Sequence, residues 1–360
     1  MTKEKINIIV IGCGNMGTSH ARAYHKLDGF NIVGLVDRNR DNLDRLTKEM
    51  GNYPTFVDFD EALAETKPDA VCVATYPGTH AEFAIKALES GAHVFVEKPI
   101  AETIEDANAV VEAAQKANKK VVVGYILRHH PGWKQFIDVA TTLGKPLVMR
   151  MNLNQQSTGK EWKVHRSIME AMSPIVDCGV HYVDVMCQMT KANPVSVSAI
   201  GARLSDEIDP DQYNYGQLQV RFDDGSVGWY ESGWGPMISE QAYFVKDVMG
   251  PKGSVSIHKN TFDLPRGSSA DIGGHTAVKR LNLHHSETDE NGRLIHDDQI
   301  LEAPSEPGHD ELCYFEQEYF LKSILEDIDL SDHLREVVHT LKIVLASDES
   351  VKTGKTVELK

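Results

Sequence analysis

The sequence predicts two mixed α/β domains: a doubly wound parallel sheet over residues 1–125, and an α+β domain with a mostly antiparallel sheet over 126–360. Three observations carry this expectation. Short β-branched runs alternate with helical stretches through the first 125 residues. A glycine-rich turn follows the first of those runs directly. Beyond residue 190, strand-like segments succeed one another with Asp-Gly and Asn-Gly turns among them.

Taken in order, apolar runs occur at 6–11, 31–36, 70–74, 93–96 and 120–123. Helical stretches lie between and after them at 15–27, 39–50, 58–66, 78–90 and 103–118. Strands buried on both faces read as continuous apolar runs, and intervening helices imply parallel crossovers. The second half reads as a helix at 131–143, a strand at 146–153, a polar loop at 154–170 and a strongly apolar helix at 174–189. Strands are expected near 195–203, 213–222, 226–233, 242–249 and 253–258, with closing helices at 310–327 and 332–350. Asp224-Gly225 and Asn291-Gly292 are hairpin signals, because these residues tolerate positive φ. Consecutive hairpins make the sheet mostly antiparallel.

At 360 residues the chain can build sizeable cores without disulfides. Its net charge of −16 argues against nucleic acid and anionic membranes as general partners, since both are polyanions. No run of 18 apolar residues is present, so no membrane-spanning helix is expected. The N-terminal apolar run passes straight into Gly12-Cys13-Gly14 and reads as a strand rather than a signal peptide. Cysteines 13, 72, 178, 187 and 313 are scattered, which fits a reducing cytoplasm and no zinc cluster. The acidity is uneven: residues 287–311 hold nine acids and one arginine. That segment reads as a solvated hairpin and loop.

Gly12-Cys13-Gly14-Asn15-Met16-Gly17 is G-x-G-x-x-G, between a predicted strand and a predicted helix. This is the Rossmann dinucleotide fingerprint. Gly12 permits the tight turn, Gly14 lets backbone approach a pyrophosphate, and Gly17 lets helix and strand pack closely. Asn15 and Met16 open the helix whose N-terminus would face the phosphates. Asp37, 20 residues after Gly17, can accept from both ribose hydroxyls and would repel a 2′-phosphate. NAD is therefore expected, with NADP left open by the neighbouring Arg38. Thr75, Pro77 and His80 lie at the carboxyl end of the sheet and are expected near the nicotinamide ribose. An ordinary strand-to-helix turn is the competing reading.

Glu97-Lys98-Pro99 ends a buried strand, since proline cannot continue it. Lys98 there would point into the cofactor crevice, where a nearby positive nicotinamide would lower its pKa and suit proton handling. In the helix at 174–189, Asp177, His181, Asp184 and Gln188 form one polar stripe at i, i+4, i+7 and i+11. A histidine one turn from a carboxylate has the arrangement of an oriented general base. A satisfied core histidine, an interhelical hydrogen-bond seam and a metal pair are the alternatives. No third ligand with metal spacing is evident, so no metal is expected. The doublets His129-His130 and His284-His285 read as structural or exposed.

The combination of motifs resembles the Gfo/Idh/MocA oxidoreductases, and within them the inositol and sugar dehydrogenases. The resemblance spans most of the chain. It rests on the fingerprint, Asp37, Glu97-Lys98-Pro99, Arg128 and Asp177-x-x-x-His181-x-x-Asp184. It implies an N-terminal Rossmann domain and a C-terminal domain with a large open sheet. The sheet's exposed face would form a homo-dimer or homo-tetramer. Lys98, Asp177 and His181 are implied as the catalytic set, and Arg128 and Asp184 as substrate contacts. Trp162 and His165, in the 154–170 loop, join the expected substrate contacts, and Glu97 the expected cofactor contacts. The implied reaction is NAD-dependent reversible oxidation of a ring secondary hydroxyl of a cyclic polyol or sugar, an inositol or a pyranoside at C3. His181 would act as base and Lys98 would stabilise the substrate oxygen. Two rival readings remain: a glycoside hydrolase working through transient oxidation, and a cofactor-sensing regulator. Retention of both Lys98 and His181 speaks against the regulator.

Overall fold

The computed structural model describes residues 5–239, 244–258 and 276–359. The first half alternates as the apolar runs require: β1 (Ile6–Ile11), α1 (Asn15–Lys26), β2 (Phe30–Val36), α2 (Arg40–Met50), β3 (Thr55–Phe56), α3 (Phe59–Thr66), β4 (Ala70–Val73), α4 (His80–Glu89), β5 (His93–Val96), α5 (Ile104–Ala117) and β6 (Val121–Val123). All pairings are parallel, in the order β3-β2-β1-β4-β5-β6. The two-residue β3 is an edge strand, too short to show as an apolar run. Helix starts are set by side-chain caps: Asn39 accepts from the Asp41 N–H, Asp58 from Glu61 and Thr103 from Asp106. The strand order reverses between β1 and β4, and such a switch point opens the crevice where ligands bind.

The second half comprises α6 (Pro131–Thr142), β7 (Val148–Gln156), α7 (Gly159–Met169), α8 (Pro174–Thr190), β8 (Pro194–Ala202), β9 (Tyr215–Phe222), β10 (Val227–Gly235), β11 (Lys246–Gly250), β12 (Gly253–His258), β13 (Arg280–His285), β14 (Gln299–Glu302), α9 (His309–Leu325), α10 (Ser331–Thr353) and β15 (Val357–Glu358). The sheet runs β14-β13-β12-β11-β7-β10-β9-β8-β15. Its pairs are antiparallel except β7 with β10. Gly225, at φ +84°, makes the β9–β10 hairpin turn signalled by Asp224-Gly225. Of the strand expected at 242–249, residues 242 and 243 lie outside the described part. α8 lies close on β10 because Gly179 lacks a side chain: a Cβ there would meet the Tyr230 ring at 3.0 Å. Tyr182 of α8 stacks on Tyr230 with centroids 5.3 Å apart.

Two expectations change. Residues 154–170 are not one loop, since α7 occupies Gly159–Met169. Only Trp162 and Met169 of α7 are buried, so its apolar period is nearly invisible in the sequence. Contacts also divide the chain into Met1–Ile126 with Gly308–Val338, and Leu127–Pro307 with His339–Lys360. Residues 308–338, placed by sequence order in the second domain, therefore belong to the first unit. There Phe320 of α9 stacks on Phe30 of β2, with centroids 6.1 Å apart, inside one apolar cluster. Among the described residues no helix is long and apolar enough to cross a membrane.

Candidate active site

The fingerprint turn in the first unit is built from three glycines with three different reasons. Gly12 has φ +86°, and a Cβ on it would sit 2.4 Å from the Ala74 carbonyl oxygen. A Cβ on Gly17 would lie 1.7 Å from the Gly12 carbonyl oxygen, so α1 could not approach β1 with any other residue there. A Cβ on Gly14 would meet no protein atom within 4 Å. No side chain caps α1 at Gly14, which leaves its first-turn N–H groups, from Asn15 and Met16 onward, to the crevice. The contrast fits a pyrophosphate: Gly12 and Gly17 shape the turn, and Gly14 keeps the approach to the helix N-terminus clear.

Asp37 follows the last residue of β2 and helps hold the turn. It accepts the Cys13 N–H at 2.8 Å, the Asn39 N–H at 2.8 Å and the Asn42 amide at 3.0 Å. Arg45, which no sequence motif marks, donates to the Cys13 carbonyl at 3.0 Å and to the Thr18 hydroxyl at 2.9 Å. Arg38 is exposed beside Asp37. Thr75 pairs with the Thr79 hydroxyl at 2.8 Å, and Pro77 opens a short 3₁₀ turn. His80 is buried, and its ring nitrogens face the carbonyl oxygens of Pro99 (2.7 Å) and Thr75 (3.1 Å). Both neighbours are backbone carbonyls, of which a ring with one N–H donates to one, and they set His80 between two loops.

Lys98 lies two residues beyond β5, with its backbone N–H on Glu97 Oε2 at 3.1 Å. Glu97 is buried and inward, taking His20 Nε2 at 2.6 Å. It is therefore a support for Lys98 rather than a cofactor contact. Burial pushes the Glu97 carboxyl up, yet the hydrogen bond from His20, the Lys98 charge and the Lys98 backbone N–H outweigh this and hold it below the usual range.

In the second unit, α8 sorts its polar stripe into two kinds. Asp177 and His181 are half-buried, one turn apart on the same face. Asp184 is fully buried. It accepts Arg128 Nε at 2.8 Å, a second Arg128 nitrogen at 2.5 Å and the Gln188 amide at 2.9 Å. Both of its oxygens are thus spent on protein donors. Asp184 is corrected from a substrate contact to the group that holds Arg128. Burial pushes its carboxyl above the ordinary value, with Arg128 and Gln188 opposing.

His165 lies on α7, stacked on Trp234 at 4.4 Å with Nδ1 2.9 Å from the Ser157 hydroxyl. Burial lowers its pKa and the Asp177 charge raises it, which places the two in one electrostatic neighbourhood. Trp162 is packed with Met169, Cys178, Ile208 and Trp234, and its indole donates to Glu207 at 3.2 Å. It is a packing residue, 5% exposed. Trp234 donates to Gln155 at 2.7 Å, and Cys178 meets the same oxygen. The buried Lys246, absent from the sequence reading, lies 4.8 Å from the Tyr182 ring.

The remaining expectations resolve simply. His130 is buried and caps α6 through the Gly132 N–H. His284 pairs with Asp298 at 2.7 Å. Several acids of this stretch have local partners: Glu302 meets Arg280 at 3.0 Å, Glu287 meets the His296 ring at 3.3 Å, and Asp289 accepts its own turn N–H groups. This is the solvated hairpin and loop expected.

A parallel sheet with this turn at its switch point defines a dinucleotide-binding domain. Residues 6–125 match the model of the oxidoreductase family with an NAD-binding Rossmann fold, and residues 134–256 match the GFO/IDH/MocA C-terminal domain. The chain belongs to the GFO/IDH/MocA family. It is 27% identical over 286 residues to the scyllo-inositol 2-dehydrogenase (NAD(+)) of Bacillus subtilis, covering 75% of this chain and 80% of that protein. It is 25% identical over 274 residues to the D-glucoside 3-dehydrogenase of Escherichia coli, covering 71% and 78%. The solved apo scyllo-inositol dehydrogenase of Lactobacillus casei shares the fold at TM-score 0.75 and 21% identity, covering 99% of both chains. The solved WlbA dehydrogenase of Chromobacterium violaceum, in complex with NADH and UDP-GlcNAcA, does so at TM-score 0.78 and 21% identity, covering 100% and 97%.

Proposed function

We propose that this oxidoreductase reversibly oxidises a ring secondary hydroxyl of a cyclic polyol or sugar, an inositol or a pyranoside, to the ketone. The observation that carries this is the Asp177–His181 pair, half-exposed on a helix that otherwise buries nearly every side chain. The names of the B. subtilis and E. coli relatives support the substrate class. NAD, held at the fingerprint by the residues above, supplies the hydride acceptor.

The chain's own residues do the rest. His181 takes the hydroxyl proton, and Asp177 orients its ring and favours the charged form. The Lys98 ammonium hydrogen-bonds the same oxygen and stabilises developing alkoxide charge. Arg128, fixed by Asp184, holds a neighbouring hydroxyl. A ring with several similar hydroxyls needs such fixed polar contacts to present one carbon. Asp37 favours NAD over NADP.

NADH fluorescence with myo-inositol, scyllo-inositol and methyl glucosides tests the reading. The expected result is net NADH from at least one of them, with Lys98→Met lowering kcat by about 100-fold or more at nearly unchanged NAD affinity. No NADH from any of them, or unchanged turnover in Lys98→Met, rejects it.

Two further parts of the reading concern setting and assembly. Five buried free cysteines support a reducing, cytoplasmic location. A second copy of the chain is proposed to cover the sheet face bearing Met249, Val148 and Val227. These adjoin across β11, β7 and β10 and are 36%, 38% and 37% exposed. Light scattering that shows only monomer would reject the assembly.

A further inference from the structure

Behind Lys98 the first unit buries a line of polar side chains that the reaction above leaves unused. The Tyr24 hydroxyl donates to Gln317 Oε1. The Gln317 amide meets His20 Nδ1 at 2.9 Å, and His20 Nε2 meets Glu97 Oε1 at 2.6 Å. Glu97 Oε2 takes the backbone N–H of Lys98. Tyr24, Gln317 and His20 are at most 1% exposed and Glu97 is 6% exposed.

With the Gln317 amide nitrogen set on His20, the bond directions follow. An amide NH₂ only donates, so His20 Nδ1 is the acceptor and carries no proton. The hydrogen then sits on Nε2 and points at Glu97. A second carboxyl, Glu316, lies in the same pocket with both oxygens buried and without a hydrogen-bond partner. Burial and the Glu97 charge push Glu316 well up, so it stays neutral and Glu97 carries the negative charge of the pair. His20, Cys313 and Glu316 also bring donor atoms within 4.8 Å of one another, a metal-like grouping. His20 has no nitrogen to give a metal, since Glu97 and Gln317 hold both.

We propose that His20 and Gln317 are positioning residues for Lys98: they fix Glu97 as an oriented carboxylate, and Glu97 fixes the backbone from which the Lys98 side chain departs. His80, on the Pro99 carbonyl, holds the other side of the same segment. The inference rests on the role given to Lys98 above. The groups whose charge or titration bears on Glu97 are His20 and Tyr24 from α1, Cys72 from β4, Cys313 and Glu316 from α9, and Lys98 itself.

The test is kinetic and spectroscopic. His20→Leu removes the donor to Glu97, so the Glu97 carboxyl titrates at higher pH. The expected result is a tenfold or greater fall in kcat, NAD affinity within threefold of wild type, and an acid limb of the kcat profile moved to higher pH. His20→Gln, whose amide can donate to Glu97 and accept from Gln317, restores most of the rate. Gln317→Leu, a milder lesion, moves the limb the same way and stands in should His20→Leu fail to fold. A fall in kcat with no movement of the limb, or His20→Gln as impaired as His20→Leu, overturns the proposal. Lys98→Met, measured alongside, separates the two readings: full activity there refutes the role of Lys98, whereas a dead Lys98→Met with an unaffected His20→Leu refutes only the positioning role. Nitrogen NMR of ¹⁵N-histidine protein needs no substrate and should show His20 protonated on Nε2 alone. A proton on Nδ1, or stoichiometric zinc lost in Cys313→Ala, overturns it.

Discussion

Asp184→Asn gives the sharpest energetic test of the second unit. The substitution keeps shape and removes the charge that faces Arg128, whose side chain is 12% exposed while that of Asp184 is 0%. Stranding one member of a buried ion pair typically costs about 3–5 kcal/mol. The residual exposure of Arg128 and the remaining amide oxygen place this case near the lower end, about 3 kcal/mol. The assay is built into the chain. All four tryptophans, Trp133, Trp162, Trp229 and Trp234, fall within Leu127–Pro307, so tryptophan fluorescence during urea unfolding reports the second unit. Replacing both partners, Arg128→Leu with Asp184→Leu, should recover most of the loss, because no charge is then left unpaired. Kinetically, Asp184→Asn should raise the substrate KM more than it lowers kcat, since Arg128, the group it loosens, is proposed to hold a hydroxyl that does not react. A loss below about 1 kcal/mol, or a double variant as unstable as the single, would refute the role given to Asp184.

Three other predictions follow from the first unit. Gly14→Ala should leave thermal stability unchanged and weaken NAD binding, whereas Gly17→Ala, whose Cβ would collide with the Gly12 carbonyl, should lose both; calorimetry with and without NAD separates them. Asp37→Ala should raise the KM for NAD, because it frees the Cys13 N–H as well as a ribose site, and should raise NADP use relative to NAD in initial-rate comparison. Glu316→Gln should stabilise the protein increasingly as pH rises. A carboxyl whose folded pKa is raised contributes stability below its unfolded value of about 4.3, and that contribution is lost as pH climbs toward the folded value. The difference in melting temperature should be near zero at pH 4 and grow toward pH 8, and a constant difference would show that Glu316 is not held neutral.

The fold was most legible where local rules leave few choices. Gly12 and Gly17 stand where no side chain fits, and the continuous apolar runs of β1, β4 and β5 can only be buried strands. Helical spacing put Asp177 and His181 on one face, but the same spacing put Asp184 there too. Separating them required Arg128, which reaches Asp184 from 56 residues earlier. A helical period shows that α9 has an apolar side and not what that side packs against, so its return to the first unit was hidden. The bond between Gln317 and His20 spans 297 residues and leaves no pattern in sequence. α7 was missed because two buried side chains in eleven residues make too faint a period.

The central claim is hydride removal from a ring carbon. It is tested most directly by following deuterium from carbon-deuterated myo-inositol or methyl glucoside into the nicotinamide, read by mass spectrometry of the NADH formed. One deuterium per NADH is expected in the wild type, and labelled NADH formed about 100-fold more slowly, or slower still, in Lys98→Met. Turnover that yields unlabelled NADH, or product with no net NADH, would contradict it.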